Sequence, residues 1–492
     1  VKSPKPILAP LLLPTVSLAL GITGGREPEG LPPLLVGGLL LAFLLLAFFL
    51  SRWHKLQSLL LCLCCTMLGY LLSAHYKMQL HADWPPQRGY WHVVVSSNPS
   101  PRGKTVSMDA LLSRTGRKIQ LRLMNDERSC QLAPGDCLEI CSTVKPLSVH
   151  GSYRTYLECQ GYAGEAFVWY DDWQHASFEA GGISLTDRVR IFFLQQRGRL
   201  LRLVRARVGE DEAYSLLAAM ALGDKQAVSR EQKEQFSTAG TSHLLALSGL
   251  HLGIIYMLLA RLLPRRRLKG LSQLLLLAAV WAFVLLAGMP LSVVRSATMI
   301  SLYALALLLN RGRAPLNTLV LTAGLMLLAR PYSLFDVGFQ LSFSSVAAIL
   351  LFVPLFPQSV PRLPHSSFLV TMTTVSIAAQ IGTAPLVAYH FGRFSPWFLL
   401  ANYVSIPLAM LILYTMFFSL LCCWWPQALS LLISVPATLA SWLSAWTRWV
   451  AALPSASIGG LKPTVLHVLL LYLIILSSWA ILRYFAIHRV AK

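Results

Sequence analysis

Apolar positions along the chain fall into long runs separated by short polar turns, with one extended polar interval. Three runs open the sequence, at 7–22, 31–50 and 56–74, and further runs follow at 243–262, 271–289, 292–309, 315–329, 337–356, 367–388, 398–423, 430–450 and 464–483. A bilayer crossing takes about 20 apolar residues, so these runs predict roughly ten to twelve membrane segments. Three are weakly marked: 7–22 contains Pro10 and Pro14, 315–329 has the length of a half-helix, and 430–450, rich in Trp and Ser, suits the interface as well as a crossing. Between 78 and 180 the period changes. Residues 90–97 and 118–124 alternate, and Gly135-Asp136 turns into a strand at 137–140. Such segments, bounded by Gly, Pro and Asn, predict a small barrel or sandwich, the one soluble core of the chain. Residues 186–207 then mix Arg188, Arg190, Arg197, Arg199, Arg202, Arg205 and Arg207 with apolar positions such as Ile191, Phe192, Leu201 and Val204. The pattern predicts a basic amphipathic helix lying in the lipid interface with its arginines toward headgroups, or else offering them to a polyanion. A polar helical pair follows at 210–222 and 229–239, the second opening with a capping box from Ser229 to Gln232.

Composition sets the class. Of 492 residues, 55% are hydrophobic and 13% charged, with a mean hydropathy of +0.57, whereas soluble domains carry about 25% charged residues. Soluble domains alone are excluded, and a polytopic α-helical membrane protein with a small β-rich extracytoplasmic domain is expected. The charge of +21, from 42 Lys and Arg against 21 Asp and Glu, fits anionic phospholipid, nucleic acid or the cytoplasmic-loop bias. With the N-terminus inside and every run crossing, inner short loops hold Lys2, Lys5, Arg52, Lys55, Arg261, Arg265, Arg266, Arg267, Lys269, Arg311, Arg313, Arg362, Arg483, Arg489 and Lys492. Outer short loops hold Arg26, Arg330, Arg393 and Lys462. The asymmetry predicts a cytoplasmic N-terminus and an outward β-rich segment. Val1-Lys2-Ser3 has no signal-peptidase pattern, so the first run is expected to stay as an anchor. Cys130, Cys137, Cys141 and Cys159 lie in the polar segment without CxxC spacing; no metal is expected, and one or two disulfides of open pairing are.

Polar residues inside apolar runs carry the candidate chemistry, because in lipid they face a bundle interior or a water-filled path. His243, Ser248 and His251 share a sector of about 140° if the segment is one helix, and Gly249 and Gly253 form a GxxxG that admits a second backbone. A packing stripe of satisfied polar groups is the plain alternative; a Ser248–His251 nucleophile pair is disfavoured, since residues three apart rarely align and no third group orients them. Asp336, Gln340 and Ser344 recur every four residues beside Phe339 and Phe343, with Asp336 placed to cap the helix. Arg295 stands just inside an apolar run, where it snorkels outward, pairs with Asp336 or meets an anion. The hydroxyl-rich run from Thr371 through Gln380 to Pro385, followed by His390 and Asn402, suits a solvated passage. No GxxxxGK[ST] loop is present.

These segments, in this order, resemble the ComEC family of DNA-internalisation channels. The residues that carry the resemblance are Gly223-Asp224-Lys225, the run from His243 to Gly253, Pro290 to Arg295, Asp336 to Phe343, Gln380 to Pro385, and Phe394-Ser395 with Asn402 and Pro407; Tyr153 to Ala166 looks like the close of that family's OB-like domain. The resemblance implies helices over 1–77, an OB-like domain over 78–180, basic and polar helices over 181–241 and a channel domain over 242–492. It further implies passage of single-stranded DNA across the cytoplasmic membrane, with Arg295, His251 and Gln340 lining the path, Phe339 and Phe343 stacking bases, and Trp84, Tyr90 and Trp91 available on the OB-like domain. Many members continue into a metallo-β-lactamase-like domain that needs a His-x-His-x-Asp-His cluster; none occurs in this sequence. No cofactor and no enzymatic activity are therefore expected of the chain, and separate DNA-receptor, nuclease and motor or strand-binding proteins are expected partners, with a homodimer conceivable. A small-molecule or ion transporter is the competing class, an intramembrane hydrolase the third.

Overall fold

The computed structural model describes residues 10–27, 31–81, 84–148, 151–177, 181–209, 211–262, 269–308, 314–356, 366–422 and 425–490. Contacts divide the chain into two units, Pro10–Gly198 with Val320–Asp336, and Arg199–Leu319 with Val337–Lys492.

The first unit opens with α1 (Leu12–Arg26), α2 (Pro33–Phe49) and α3 (His54–Leu80). Glycine lets α1 and α3 touch backbone to backbone: a Cβ on Gly69 would lie 2.2 Å from the Leu18 carbonyl oxygen. The β-rich domain follows as β1 (Gly89–Val95), β2 (Ser100–Arg102), β3 (Thr105–Leu112), β4 (Lys118–Met124), α4 (Glu127–Gln131), β5 (Cys137–Ser142), β6 (Val144–Lys145), α5 (Ser152–Cys159), β7 (Tyr162–Val168) and β8 (Trp173–His175). Strand order is β6-β7-β4-β3-β1-β5-β8, with β2 on β3. Because β5 pairs β1 and the adjoining β6 pairs β7, the segment 137–145 closes the sheet on itself into an OB-like barrel. Alternate residues fill it: Val93 and Val95, Val106 and Met108, Ile119, Leu121 and Leu123, Leu138 and Ile140. Trp84 and Trp91 also pack on this core and donate their indole N–H groups to the Ala163 and Ser142 carbonyls. They are therefore not free for stacking; Tyr90 remains 77% exposed. On the outer surface the Tyr162 hydroxyl donates to Asp109 Oδ1 at 2.6 Å, and Lys118 Nζ sits 2.9 Å from Asp109 Oδ2 and over the Tyr162 ring. Burial pushes the Tyr162 phenol up and the Lys118 ammonium down.

Helix α6 (Leu185–Val208) buries part of its apolar stripe. Ile191 packs with Val94, Leu111 and Ile183 of the first unit, and Leu201 and Val204 belong to the core of the second. Leu185, Phe192 and Leu203 stay exposed. Arg199, Arg202, Arg205 and Arg207 are exposed, while Arg197 is buried at 8%.

In the second unit α7 (Glu212–Leu222) and α8 (Arg230–Thr238) follow, α8 opening with the expected capping box between Ser229 and Gln232. The polar label fails for α7: every residue described from Ser215 to Leu222 is buried, because EAYSLLAAMAL is apolar around its whole circumference. The remaining helices are α9 (Ser242–Leu245), α10 (Gly249–Leu262), α11 (Lys269–Leu286), α12 (Leu291–Leu308), α13 (Pro315–Ala329, crossing both units), α14 (Val337–Phe352), α15 (Ser366–Phe391), α16 (Phe398–Leu421), α17 (Pro426–Leu432), α18 (Ser434–Ala451) and α19 (Val465–Val490). Among the described residues six helices are long and apolar enough to cross a membrane: His54–Leu80, Val337–Leu355, Phe368–Phe391, Phe398–Leu421, Leu429–Ala451 and Val465–Ala486. Apolar helices of 10–17 residues accompany them, Gly249–Leu262 and Pro315–Ala329 included. The chain is a polytopic membrane protein with a small β domain.

Candidate functional site

The segment from His243 to Gly253 is not one helix. Four-residue α9 ends at Leu245, Ala246 turns extended at φ −96° and ψ 129°, and α10 starts afresh at Gly249. His243 and His251 therefore do not share a helix face, which corrects the expected polar sector. The break is held by named bonds. Ser292 Oγ, one residue into α12, donates to the Leu247 carbonyl at 2.6 Å, and Ser248 caps α10. Its Oγ lies 2.9 Å from His251 Nδ1, and its backbone N–H points at the same nitrogen at 3.4 Å. Residues three apart do meet here, but with the His251 ring taking the backbone N–H and hydroxyl of the residue before α10, as one half of a capping box does. With Nδ1 accepting, the ring hydrogen is assigned to Nε2. His251 is 0% exposed, and its Nε2 has no hydrogen-bond partner among the described residues.

Two further turns meet this break. Gly223 ends α7 in the left-handed region at φ 77°, and a Cβ there would sit 2.7 Å from Leu247 Cδ1 and 3.1 Å from the Ala287 carbonyl oxygen. Asp224 accepts the Gln226 N–H and so caps the short turn that follows. Between α11 and α12, Gly288 and Met289 both have positive φ, at 84° and 58°, a strained conformation for Met. Gly249 faces α12 so closely that a Cβ would lie 2.5 Å from Ser296 Oγ, whereas Gly253 has nothing within 4 Å and packs no second helix. The GxxxG reading holds for its first glycine only. Arg295, between Ser292 and Ser296 on α12, is 3% exposed, so it does not snorkel to the interface. Thus Gly223-Asp224, Ala246 to Ser248 and Ala287 to Ser292, separated by tens of residues, form one cluster. Ser292, Ser296 and Met289 escaped the sequence reading; the Gly288-Met289-Pro290 punctuation was the signal available.

A second polar line joins α14 to α15. His390 Nε2 lies 2.9 Å from Gln340 Oε1, and a Cβ on Gly382 would come within 2.5 Å of the Ser344 carbonyl oxygen. Phe339 and Phe343 touch each other at 4.3 Å between centroids, Phe339 only 6% exposed and Phe343 half-buried. Gln380 is half-buried on α15, and α16 buries Asn402 and Ser405, whose Oδ1 and Oγ have no partner among the described residues. Asp336 is the residue before α14 and belongs to the first unit, where after burial it is the main influence raising the Cys159 thiol to about 12.

The cysteines correct the disulfide expectation. Cys130, Cys137, Cys141 and Cys159 are all free thiols. Cys137 and Cys141 lie four residues apart along β5, about 13 Å at 3.3 Å per residue, and buried Cys159 donates to the Tyr332 carbonyl at 3.0 Å. Among the described residues no three His, Cys, Asp or Glu side chains are grouped to hold a metal. The barrel carries a groove of about 480 Å³ lined by Arg88, Arg122, Lys145, Phe167 and Trp169 among others, with Phe167 and Trp169 41% and 57% exposed.

The family described as "Competence protein" matches residues 220–484. The chain is 27% identical over 346 residues to ComE operon protein 3 of Bacillus subtilis, covering 69% of this chain and 41% of that protein. It is 25% identical over 209 residues to Recombination protein 2 of Haemophilus influenzae (39% and 26%) and 26% identical over 279 residues to Competence protein ComA of Neisseria gonorrhoeae (52% and 38%). The chain thus spans less than half the length of each of these relatives. No solved structure matches.

Proposed function

Because the chain belongs to the competence protein family, we propose that it forms the path by which one strand of incoming DNA crosses the cytoplasmic membrane during natural transformation. One observation carries the reading: three irregular turns, including a helix break, cluster inside a helical membrane protein. Irregular backbone at membrane depth is tolerated where it is buried in protein or lines a water-filled cavity; His251 Nε2 beside this break, and Asn402 Oδ1 and Ser405 Oγ on α16, are buried without a partner among the described residues. The barrel groove holds Arg88, Arg122 and Lys145 beside two open aromatic rings, the first two paired with Asp172 and Glu165; cations and rings together suit a single-strand platform. The lysine and arginine count favours a cytoplasmic N-terminus and an outward barrel. A receptor, a nuclease and a cytoplasmic motor or strand-binding protein are the partners this role requires, and anionic phospholipid the surrounding one.

The test is a deletion strain given labelled duplex DNA. The expected result is DNA that binds at the surface but stays sensitive to added nuclease, with transformation restored by the chain. Normal transformation together with a nutrient-transport defect would transfer the reading to the small-molecule transporter class.

A further inference from the structure

We infer that Glu165 and Asp172 are built-in competitors of the strand: their carboxylates occupy Arg122 and Arg88 at the barrel groove, so that a phosphodiester binds by displacing one of them and leaves as it returns. The groove of about 480 Å³ is lined by Arg88, Arg122, Lys145, Glu165, Phe167 and Trp169 among others. A surface built only to hold a polyanion would keep its cations open. Here a guanidinium nitrogen of Arg122 lies 3.5 Å from Glu165 Oε2, and Arg88 is ion-paired with Asp172. Strand register puts the first acid among the cations. Glu165 of β7 is directly opposite Lys145 of β6 and Gln120 of β4, and side chains opposed in this way share a face about 5 Å apart. Arg122 of β4 is level with Phe167 of β7, so a base stacked on that ring has its phosphate near the guanidinium that Glu165 holds. The carboxylate is also pinned. Its Oε1 accepts the Ser148 backbone N–H at 3.3 Å and the Ser148 hydroxyl, which leaves Oε2 for Arg122. The Glu165 side chain is 15% exposed and that of Arg122 40%, so the cation is open to a ligand while the acid is largely shielded. A part-exposed pair of this kind holds its cation by a factor of about two to five, weak enough for a phosphate to replace the carboxylate. The strand then exchanges one ion pair for another, and the groove holds it loosely enough to pass it on.

This inference rests on the platform reading of the groove, and the test lets the two fail separately. The full chain in phosphatidylcholine nanodiscs is titrated with a fluorescent thirty-nucleotide oligothymidylate, read by anisotropy at several salt concentrations. Trp169→Ala and Lys145→Ala probe the platform: both should weaken binding, and unchanged binding in both removes the platform reading and this inference with it. Glu165→Gln keeps an acceptor for Ser148 but loses the charge; strand affinity should rise about two- to fivefold, through slower dissociation. Salt dependence is the readout that a merely structural ion pair would not move. A displaced carboxylate takes up a counterion as the phosphate gives one up, so its removal should steepen the slope of log affinity against log salt by about 0.7, the value for one phosphate of a single strand. Asp172→Asn should act likewise through Arg88, and keeps the test decisive if Glu165→Gln fails to fold. Glu127→Gln, an equal loss of charge outside the groove lining, should leave the slope unchanged. Affinity and slope unchanged or lowered in Glu165→Gln and Asp172→Asn, with Trp169→Ala and Lys145→Ala still impaired, overturns the inference and leaves the platform reading standing. A rise in affinity and slope that Glu127→Gln shares overturns it too, because overall charge then explains the effect.

Discussion

Gly382→Ala adds one methyl group where α14 and α15 are closest. The new Cβ would stand 2.5 Å from the Ser344 carbonyl oxygen and 2.6 Å from Ala348 Cβ, where 3.0 Å is the practical limit. Backbone cannot rotate away as a side chain can, so the helices must part by about half an ångström or more, and overpacking of this kind costs roughly 1–3 kcal/mol. At 1.4 kcal/mol per tenfold, the folded-to-unfolded ratio drops roughly 5- to 150-fold. The same substitution at Gly253 meets nothing within 4 Å, and replacing a mid-helix glycine by alanine gains about 1 kcal/mol. Gly382 is also mid-helix and gains the same increment, so the two variants should differ by the overpacking alone, about 1–3 kcal/mol, with Gly382→Ala the less stable. Gly249→Ala should fall between, because its obstacle at 2.5 Å is the movable Ser296 hydroxyl. Denaturant titration in mixed micelles, followed by helical circular dichroism, measures the series, and transformation frequency should fall with Gly382→Ala as Gln340 and His390 separate. Equal stability of Gly382→Ala and Gly253→Ala would refute the close approach of α14 and α15.

A double-mutant cycle of Gln340→Leu and His390→Phe should give a coupling of about 0.5–1.5 kcal/mol; zero coupling means the 2.9 Å contact contributes nothing. In thiol mapping of the native protein Cys130 should react, and Cys159, buried and raised to about 12, should stay silent until unfolding; intact mass lacking two hydrogens per bond would restore the disulfides. Burial raises the Tyr162 phenol above its ordinary 10, so its contribution to stability is complete below pH 10 and is lost as pH climbs beyond. Lys118, pushed down by burial, acts with the opposite sign below pH 10.5, so the measurement is wild type minus Tyr162→Phe, and an alkaline limb unchanged by Tyr162→Phe would contradict the buried phenol.

Periodicity made the helices and the barrel legible, because each apolar run and each alternating strand reports its own burial. The capping box at Ser229 was equally local. What stayed hidden depends on contacts distant in sequence. Ala246 to Ser248 reads as helix by apolar content, and it is broken because Ser292, more than forty residues on, takes the Leu247 carbonyl. The α6 stripe reads as uniformly lipid-seeking, whereas Ile191 packs on Val94 and Leu111 and Phe192 beside it stays exposed. Trp84 and Trp91 read as open platform residues, but their indoles pack on the barrel core, and Tyr90, Phe167 and Trp169 are among the exposed rings. His251 and Arg295 were recognisable as anomalies; that the first is a cap with a spare donor was not.

The break before α10 bears on how the protein is made. Open backbone at Ala246 to Ser248 raises the cost of placing this segment in lipid by itself. The serine that takes the Leu247 carbonyl, Ser292, is synthesised later. Stable insertion of this segment is therefore expected to need α12, and a chain truncated before Ser292 should be retained less well in the membrane than one truncated after α12.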